Sequence, residues 1–238
     1  MEYPTVVIPS YKRSDTIATK TLRYLKSRAY PTDKIFIFVA NEEEAGIYRA
    51  AVPAHLYNSI VVGVVGLCAQ RNFITNYYPE GEILLQMDDD VVSVRGLELD
   101  EILRRGLEAL RGGSGLFGVM PNDDARTFKD RTTEHLTHIL GSFFLCRNHW
   151  AIRITKTEKE DLERSILYFK MYGKVHRLQC CGVSTGYGKG TGGLQMPGRQ
   201  ERIKEEIQNM VTLYPGYCKA VMKKKGEDIL LNWRAVKS

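Results

Sequence analysis

Short apolar runs alternate with amphipathic stretches through the first ninety residues. Residues 5–8 form an apolar run closed by Pro9 and Ser10. Ile17, Leu22 and Leu25 then recur at helical spacing behind a cap at Ser14 or Asp15. A second buried strand is predicted over 34–39, a short acidic helix from Glu42, and a third strand over 59–62. Gly66 precedes a helix carrying Leu67, Phe73, Ile74 and Tyr77, and the apolar run 82–87 leads straight into Asp88, Asp89 and Asp90. Strand and helix periods thus alternate as β-α-β-α-β-α-β. That pattern predicts an α/β fold with a mostly parallel, Rossmann-like sheet and helices on both faces.

The later pattern is less regular. A helix is predicted over 98–110, ended by Gly112 and Gly113, and strands over 115–120 and 139–146, with 121–137 a polar loop or hairpin. A helix over 158–169 and a strand-like segment over 175–184 follow. Residues 186–193 are rich in glycine and enclose Tyr187 and Lys189, which predicts a flexible loop. An amphipathic helix over 199–213 and a terminal hairpin, 217–222 with 229–233, complete the chain. No internal repeat or low-complexity linker is visible, so the 238 residues read as one domain with an irregular second half.

Composition narrows the class. With 43% apolar and 26% charged residues the chain is of the soluble globular type, and no apolar run approaches the ~20 residues of a membrane span. The first residues lack the basic and apolar regions of a secretory signal, and the five cysteines show no paired spacing. A reducing, cytoplasmic setting is expected. The net charge of +6 is unevenly placed. Residues 1–169 hold 21 Lys and Arg against 23 Asp and Glu, net −2, whereas 170–238 hold 13 against 5, net +8. A basic final third suits a polyanionic partner, and equally a solvated face.

Three carboxylates ending an apolar strand repel one another and are costly without a cation. In extended backbone Asp88 and Asp90 would share one side and Asp89 the other, so the first two make a candidate Mg²⁺ or Mn²⁺ pair at the carboxyl end of a parallel strand. Gly66 opens a helix whose N-terminus favours anions, and Arg71 adds a forked donor. The loop at Pro9, Ser10, Tyr11, Lys12 and Arg13 sets an aromatic ring beside two cations. No Walker motif is present, and no Gly-x-Gly-x-x-Gly follows the first strand. Glu160 and Asp161 open a helix, where acid is common, and either would serve as a general base if the fold brought it to a cleft. The five histidines are dispersed, and His135 with His138 is a weak metal pair.

Taken in order, 8–13, 39–42, Gly66 to Asn72 and 87–90 resemble the signature of GT-A glycosyltransferases over residues 4–95. More closely, residues 9–13, 70–74, 160–165 and 192–195 resemble the TET-associated glycosyltransferases of phages and algal viruses. The resemblance implies a nucleotide-sugar donor, usually a UDP-sugar, bound with Mn²⁺ or Mg²⁺ in a half spanning 1–95. An acceptor-binding half with a basic extension would span 96–238. Pro9, Tyr11, Arg13, Asn41, Glu42, Gly66, Arg71, Asp88 and Asp89 would surround the donor, with Asp90 and Asp88 on the metal. Asp161, beside Glu160, would be the base of an inverting transfer. Tyr187, Lys189, Gly192 and Gly193 would belong to a lid over donor or acceptor.

For the closer family, the implied acceptor is the hydroxymethyl group of a modified pyrimidine in DNA, typically 5-hydroxymethylcytosine. No membrane partner is implied. Rival readings are a GT-A enzyme with a glycan or protein acceptor, a nucleotidyltransferase, and a non-catalytic nucleic-acid-binding module. The nucleotidyltransferase would need a Gly-rich first loop that residues 9–13 lack. The binding module would leave the carboxylate cluster without a purpose.

Overall fold

The computed structural model describes residues 2–186, 198–223 and 226–235. The first half follows the predicted alternation. Strand β1 (Thr5–Pro9) leads into α1 (Ser14–Thr19) and α2 (Thr21–Ser27), then β2 (Ile35–Val39), α3 (Glu42–Ala51), β3 (Ser59–Val62), α4 (Leu67–Tyr77) and β4 (Ile83–Met87). The single helix expected after β1 is broken at Lys20, where φ −116° and ψ −87° leave helical space. The expected cap also differs, because Ser14 is the first helical residue and Arg13 occupies the cap position without a side-chain bond.

The chain continues through β5 (Val91–Arg95), α5 (Leu99–Arg111), β6 (Leu116–Met120), β7 (Thr132–Thr133) and β8 (Phe143–Arg147). Then come α6 (Glu160–Tyr172), β9 (His176–Thr185), α7 (Arg199–Leu213) and the hairpin β10 (Cys218–Lys223) and β11 (Gly226–Leu231). The main sheet runs β3-β2-β1-β4-β8-β6-β9-β5, with β7 beside β9. It is parallel from β3 to β4 and becomes mixed at β8, which lies antiparallel to both β4 and β6.

Alternation within the buried strands divides the core. Val6, Ile8, Ile37, Leu85 and Leu145 face α1, α2, α3 and α5, whereas Val7, Phe38, Leu84 and Phe144 face α4, α6, α7 and the hairpin. Helices therefore cover both faces, as expected of strands apolar on both sides. No described helix is long and apolar enough to cross a membrane. The five cysteines are all free thiols.

Candidate active site

A cavity of about 410 Å³ opens at the carboxyl ends of β1 to β4, the position where open α/β sheets take ligands. Pro9, Ser10, Tyr11 and Arg13 follow β1, Ala40 follows β2, Val64 to Gly66 follow β3, and Asp88, Asp89 and Asp90 follow β4. The opposite wall is Leu140 to Ser142, Glu160, Asp161 and Arg199. Sequence positions more than 70 apart thus meet in one cleft.

The turn after β4 is pinned from several sides. Thr21, fully buried at the start of α2, donates to the Asp88 carbonyl at 2.7 Å and accepts from the Val91 amide at 2.9 Å. The break at Lys20 delivers this hydroxyl. Asp89 accepts from Ser10 Oγ at 2.6 Å and from Arg13 Nη1 at 3.1 Å, while Asp90 lies 3.7 Å from the same guanidinium. Asp88 accepts from Arg71 at 2.7 Å. The strand alternation expected for the three carboxylates is therefore not kept. β4 ends at Met87, and the turn gives Asp89 and Asp90 to Arg13 and Asp88 to Arg71.

The loop before α1 is itself strained into place. Lys12 has φ +56°, and its amide donates to Glu44 at 2.8 Å. The Arg13 amide donates to the Tyr48 hydroxyl at 3.0 Å. Burial pushes the Tyr48 phenol up to about 12, so it stays a neutral hydrogen-bonding group.

The run at Gln70, Arg71 and Asn72 ties three segments together. Gln70 accepts from the Val64 amide and donates to the Val39 carbonyl, fixing the loop after β3. Arg71 donates to Gln86, Asp88 and the Gly141 carbonyl. Asn72 bonds both the amide and the carbonyl of Ile154. Arg71 is only 3% exposed and does not line the cavity. Its expected place against the donor is corrected to one behind Asp88, because the charge is consumed by partners of β4 and of the 139–142 segment. Gly66 does line the cavity, at φ +95°, a conformation that favours glycine at this helix start.

Asn41 and Glu42 also stand elsewhere than expected. Asn41 caps α3, accepting from the Glu44 amide at 2.9 Å, and exposed Glu42 lies 3.8 Å from Arg49. Neither lines the cavity, where Ala40 is the nearest wall residue in sequence.

On the far wall, the first turn of α6 is held by carboxylates from two helices. Glu206 of α7 accepts from the Thr157, Glu158 and Lys159 amides. Buried Glu163 accepts from Thr155, Lys156 and the Tyr214 hydroxyl. This brace sets Asp161 into the cleft. Asp161 Oδ2 lies 2.7 Å from His138 Nε2, and Oδ1 accepts from the Leu162 amide. Burial pushes this carboxyl up, but His138, Arg164 and the amide outweigh it and hold it below the usual carboxylate range. Glu160 faces the cavity but is bound by Arg164, and burial pushes its carboxyl up. Both carboxylates thus line the cavity and both are engaged, Glu160 by Arg164 and Asp161 by His138.

His138 was readable only as a weak metal pair with His135; its contact with Asp161, 23 residues away across an irregular polar segment, had no signal. Tyr187, Lys189, Gly192 and Gly193 lie outside the described residues.

The carboxylates suit a divalent cation. Burial pushes Asp89 up to about 6 and also raises Asp90, with Asp88 adding to the latter. Asp89 is satisfied by Ser10 and Arg13, whereas Asp90, 8% exposed, has among the described residues only the more distant Arg13 as an ion-pair partner. Among the described residues no three His, Cys, Asp or Glu side chains form a ready cage.

No protein-family model matches the chain, and no curated protein matches it. Solved structures do resemble it. Mannosyl-3-phosphoglycerate synthase from Rubrobacter xylanophilus matches 97% of this chain and 86% of its own, with 13% identity and a TM-score of 0.54. Glucosyl-3-phosphoglycerate synthase from Mycobacterium tuberculosis, solved with Mn²⁺, UDP and glucosyl-3-phosphoglycerate, matches 95% and 86%, with 9% identity and a TM-score of 0.51. A mannosyltransferase from Pyrobaculum calidifontis, in complex with GDP-Man and Mn²⁺, is 15% identical with a TM-score of 0.49. The match covers 74% of this chain and only 55% of that enzyme. At these identities the likeness is one of fold, and the fold is the GT-A class that the ordered motifs resemble.

Proposed function

We propose that the protein is a metal-dependent glycosyltransferase that moves a sugar from a nucleotide-sugar, a UDP-sugar, to an acceptor hydroxyl. One observation carries the reading. A single cleft joins a buried carboxylate turn suited to a cation and diphosphate with a His138-paired acid, Asp161, on the facing wall. The fold-mates solved with Mn²⁺ and a nucleotide or nucleotide-sugar support it.

Asp88 and Asp90 would hold the cation, which when bound offsets the charge of the departing nucleoside diphosphate. Tyr11, Pro9 and exposed Val65 offer an apolar wall to the nucleoside, and Arg13 keeps the carboxylate turn in place. Asp161 receives the proton of the acceptor hydroxyl as its oxygen attacks the sugar C1 opposite the leaving group, giving inversion. His138 fixes the orientation of that carboxylate.

The donor half would be 1–95 and the acceptor half 96–238, although Asp161 and Arg199 of the second half also face the donor cleft. The acceptor reading is a 5-hydroxymethylated pyrimidine in DNA, presented single-stranded or flipped. Its support is the sequence resemblance and the basic final third.

The test follows melting temperature with UDP and UDP-sugars, with and without Mn²⁺. It then follows nucleoside mass in 5-hydroxymethylcytosine DNA. A metal-dependent shift lost in Asp90→Ala, with a sugar increment on the modified base, is expected. An equal shift in EDTA overturns the metal role. Transfer to a glycan or protein in place of DNA overturns the acceptor.

A further inference from the structure

A second cavity, of about 540 Å³, adjoins the donor cleft and shares Glu158, Asp161 and Arg199 with it. Its size lies within the roughly 300–1,000 Å³ of small-molecule sites. The charges around it are almost all paired. Glu158 is held by Arg199 and Arg202, Asp228 by Lys159 and Lys223, and Asp161 by His138. Arg177 is the exception: alone among the Lys, Arg, Asp and Glu that line the cavity, it has no oppositely charged partner among the described residues.

The Arg177 guanidinium donates from Nη1 to the His138 carbonyl at 3.1 Å, and its buried Nε has no partner. Burial and the neighbouring Arg131 both press against its charge. Holding a half-buried cation in that state is costly without an anion. At the rim of the same cavity, Trp233 is 56% exposed and its ring lies 5.9 Å from that of His135. A cation in the wall and a half-exposed indole, whose ring centroid lies 4.6 Å from the Arg234 guanidinium, form the pair of features that nucleotides use, one for phosphate and one for the base or sugar.

We infer that this second cavity is a nucleotide subsite for the acceptor, with Arg177 binding the acceptor's phosphate and Trp233 with His135 supporting its ring. The inference rests on the glycosyltransferase reading only for the label acceptor; the site itself stands on its own residues. Asp161 at the junction would then meet the hydroxyl of a nucleotide seated here, and the charged phosphate would stay on the side away from the donor diphosphate.

Isothermal titration of the full chain with 5-hydroxymethyl-dCMP, its nucleoside and inorganic phosphate tests the assignment. The nucleotide should bind roughly 10–100-fold more tightly than the nucleoside, as expected for charge-assisted bonds to one guanidinium. Arg177→Gln should erase that ratio and Arg177→Lys should keep part of it. Trp233→Ala should weaken nucleotide and nucleoside alike. UDP binding with Mn²⁺ should be unchanged in all three variants.

An undiminished ratio in Arg177→Gln overturns the assignment. So does a wild-type protein that binds inorganic phosphate as well as it binds the nucleotide, or that binds no nucleotide. If Arg177→Gln fails to fold, the wild-type ratio and the Trp233 variant decide. Loss of metal-dependent UDP binding with nucleotide binding intact would instead remove the glycosyltransferase reading and leave this site standing.

Discussion

Asp161 is a half-buried carboxylate whose environment pulls in two directions. Burial raises its pKa, and His138, Arg164 and the Leu162 amide lower it by more. Because the folded value is depressed, the group stabilises the fold above the ordinary carboxylate pKa near ~4, and that contribution fades as pH falls below it. His138→Gln removes the leading favourable partner and leaves the burial cost. The variant should melt lower than wild type at pH 7, and the gap should narrow toward pH 3, as read by thermal denaturation across that range. A constant gap would mean that His138 acts by packing alone. In the proposed transfer reaction, Asp161→Asn should lower kcat by roughly 10²–10⁴ while UDP affinity is kept. The acid at 161 was readable because it opens a helix in a recognisable phrase. Its pairing with His138 was not, since only the folded chain carries that ring to the carboxylate. Arg71 was misplaced for a related reason: a sequence shows a cation but not the buried carbonyl and carboxylate that consume it.

Among the elements, the short piece between α1 and α2 matters more than its length suggests. The break at Lys20 brings Thr21 under the carboxylate turn, where one hydroxyl serves both the Asp88 carbonyl and the Val91 amide. Thr21→Val keeps the shape but strands a buried amide, so it should cost about 1–3 kcal/mol of stability. It should also weaken Mn²⁺-dependent UDP binding, because the turn loses its anchor. Thr21→Ser should restore both, and urea denaturation beside calorimetry would show it. If Thr21→Val loses stability with UDP binding unchanged, the turn is held by Ser10 and Arg13 without it. Local periodicity revealed α3, α4 and β1 to β4, whose apolar residues repeat within a single element. It did not reveal β5, which follows the carboxylates directly. That strand pairs antiparallel with β9, about ninety residues later, through an irregular register. Its half-exposed pattern carries no strong local signal. The helix break was equally silent, because no Gly or Pro marks it and Ile17, Leu22 and Leu25 are buried on both sides of it.

At the scale of the whole molecule, the charge asymmetry of the sequence turns out to be partly internal. Of the basic final third, Arg199 and Arg202 bind Glu158, and Lys223 binds Asp228. The Glu158 pairs dock α7 against the start of α6, and Asp228, which also binds Lys159, docks the hairpin there, so they build the wall that carries Asp161. Lys204 and Lys219 are exposed and make no ion pair among the described residues. If DNA is the acceptor, such exposed cations are the ones able to reach its backbone. Each phosphate contact should then contribute about −0.9 to the slope of log K against log salt. Changing Lys204 and Lys219 together to Gln should flatten that slope by up to ~2. The thermal shift with UDP and Mn²⁺ should stay unchanged, since neither residue lines the donor cleft. Fluorescence anisotropy with labelled double-stranded DNA at several salt concentrations would measure it. An unchanged slope in the double variant would place the DNA elsewhere. Salt-independent binding by the wild-type protein would remove the polyanion from the acceptor side and favour a neutral glycan hydroxyl in its place.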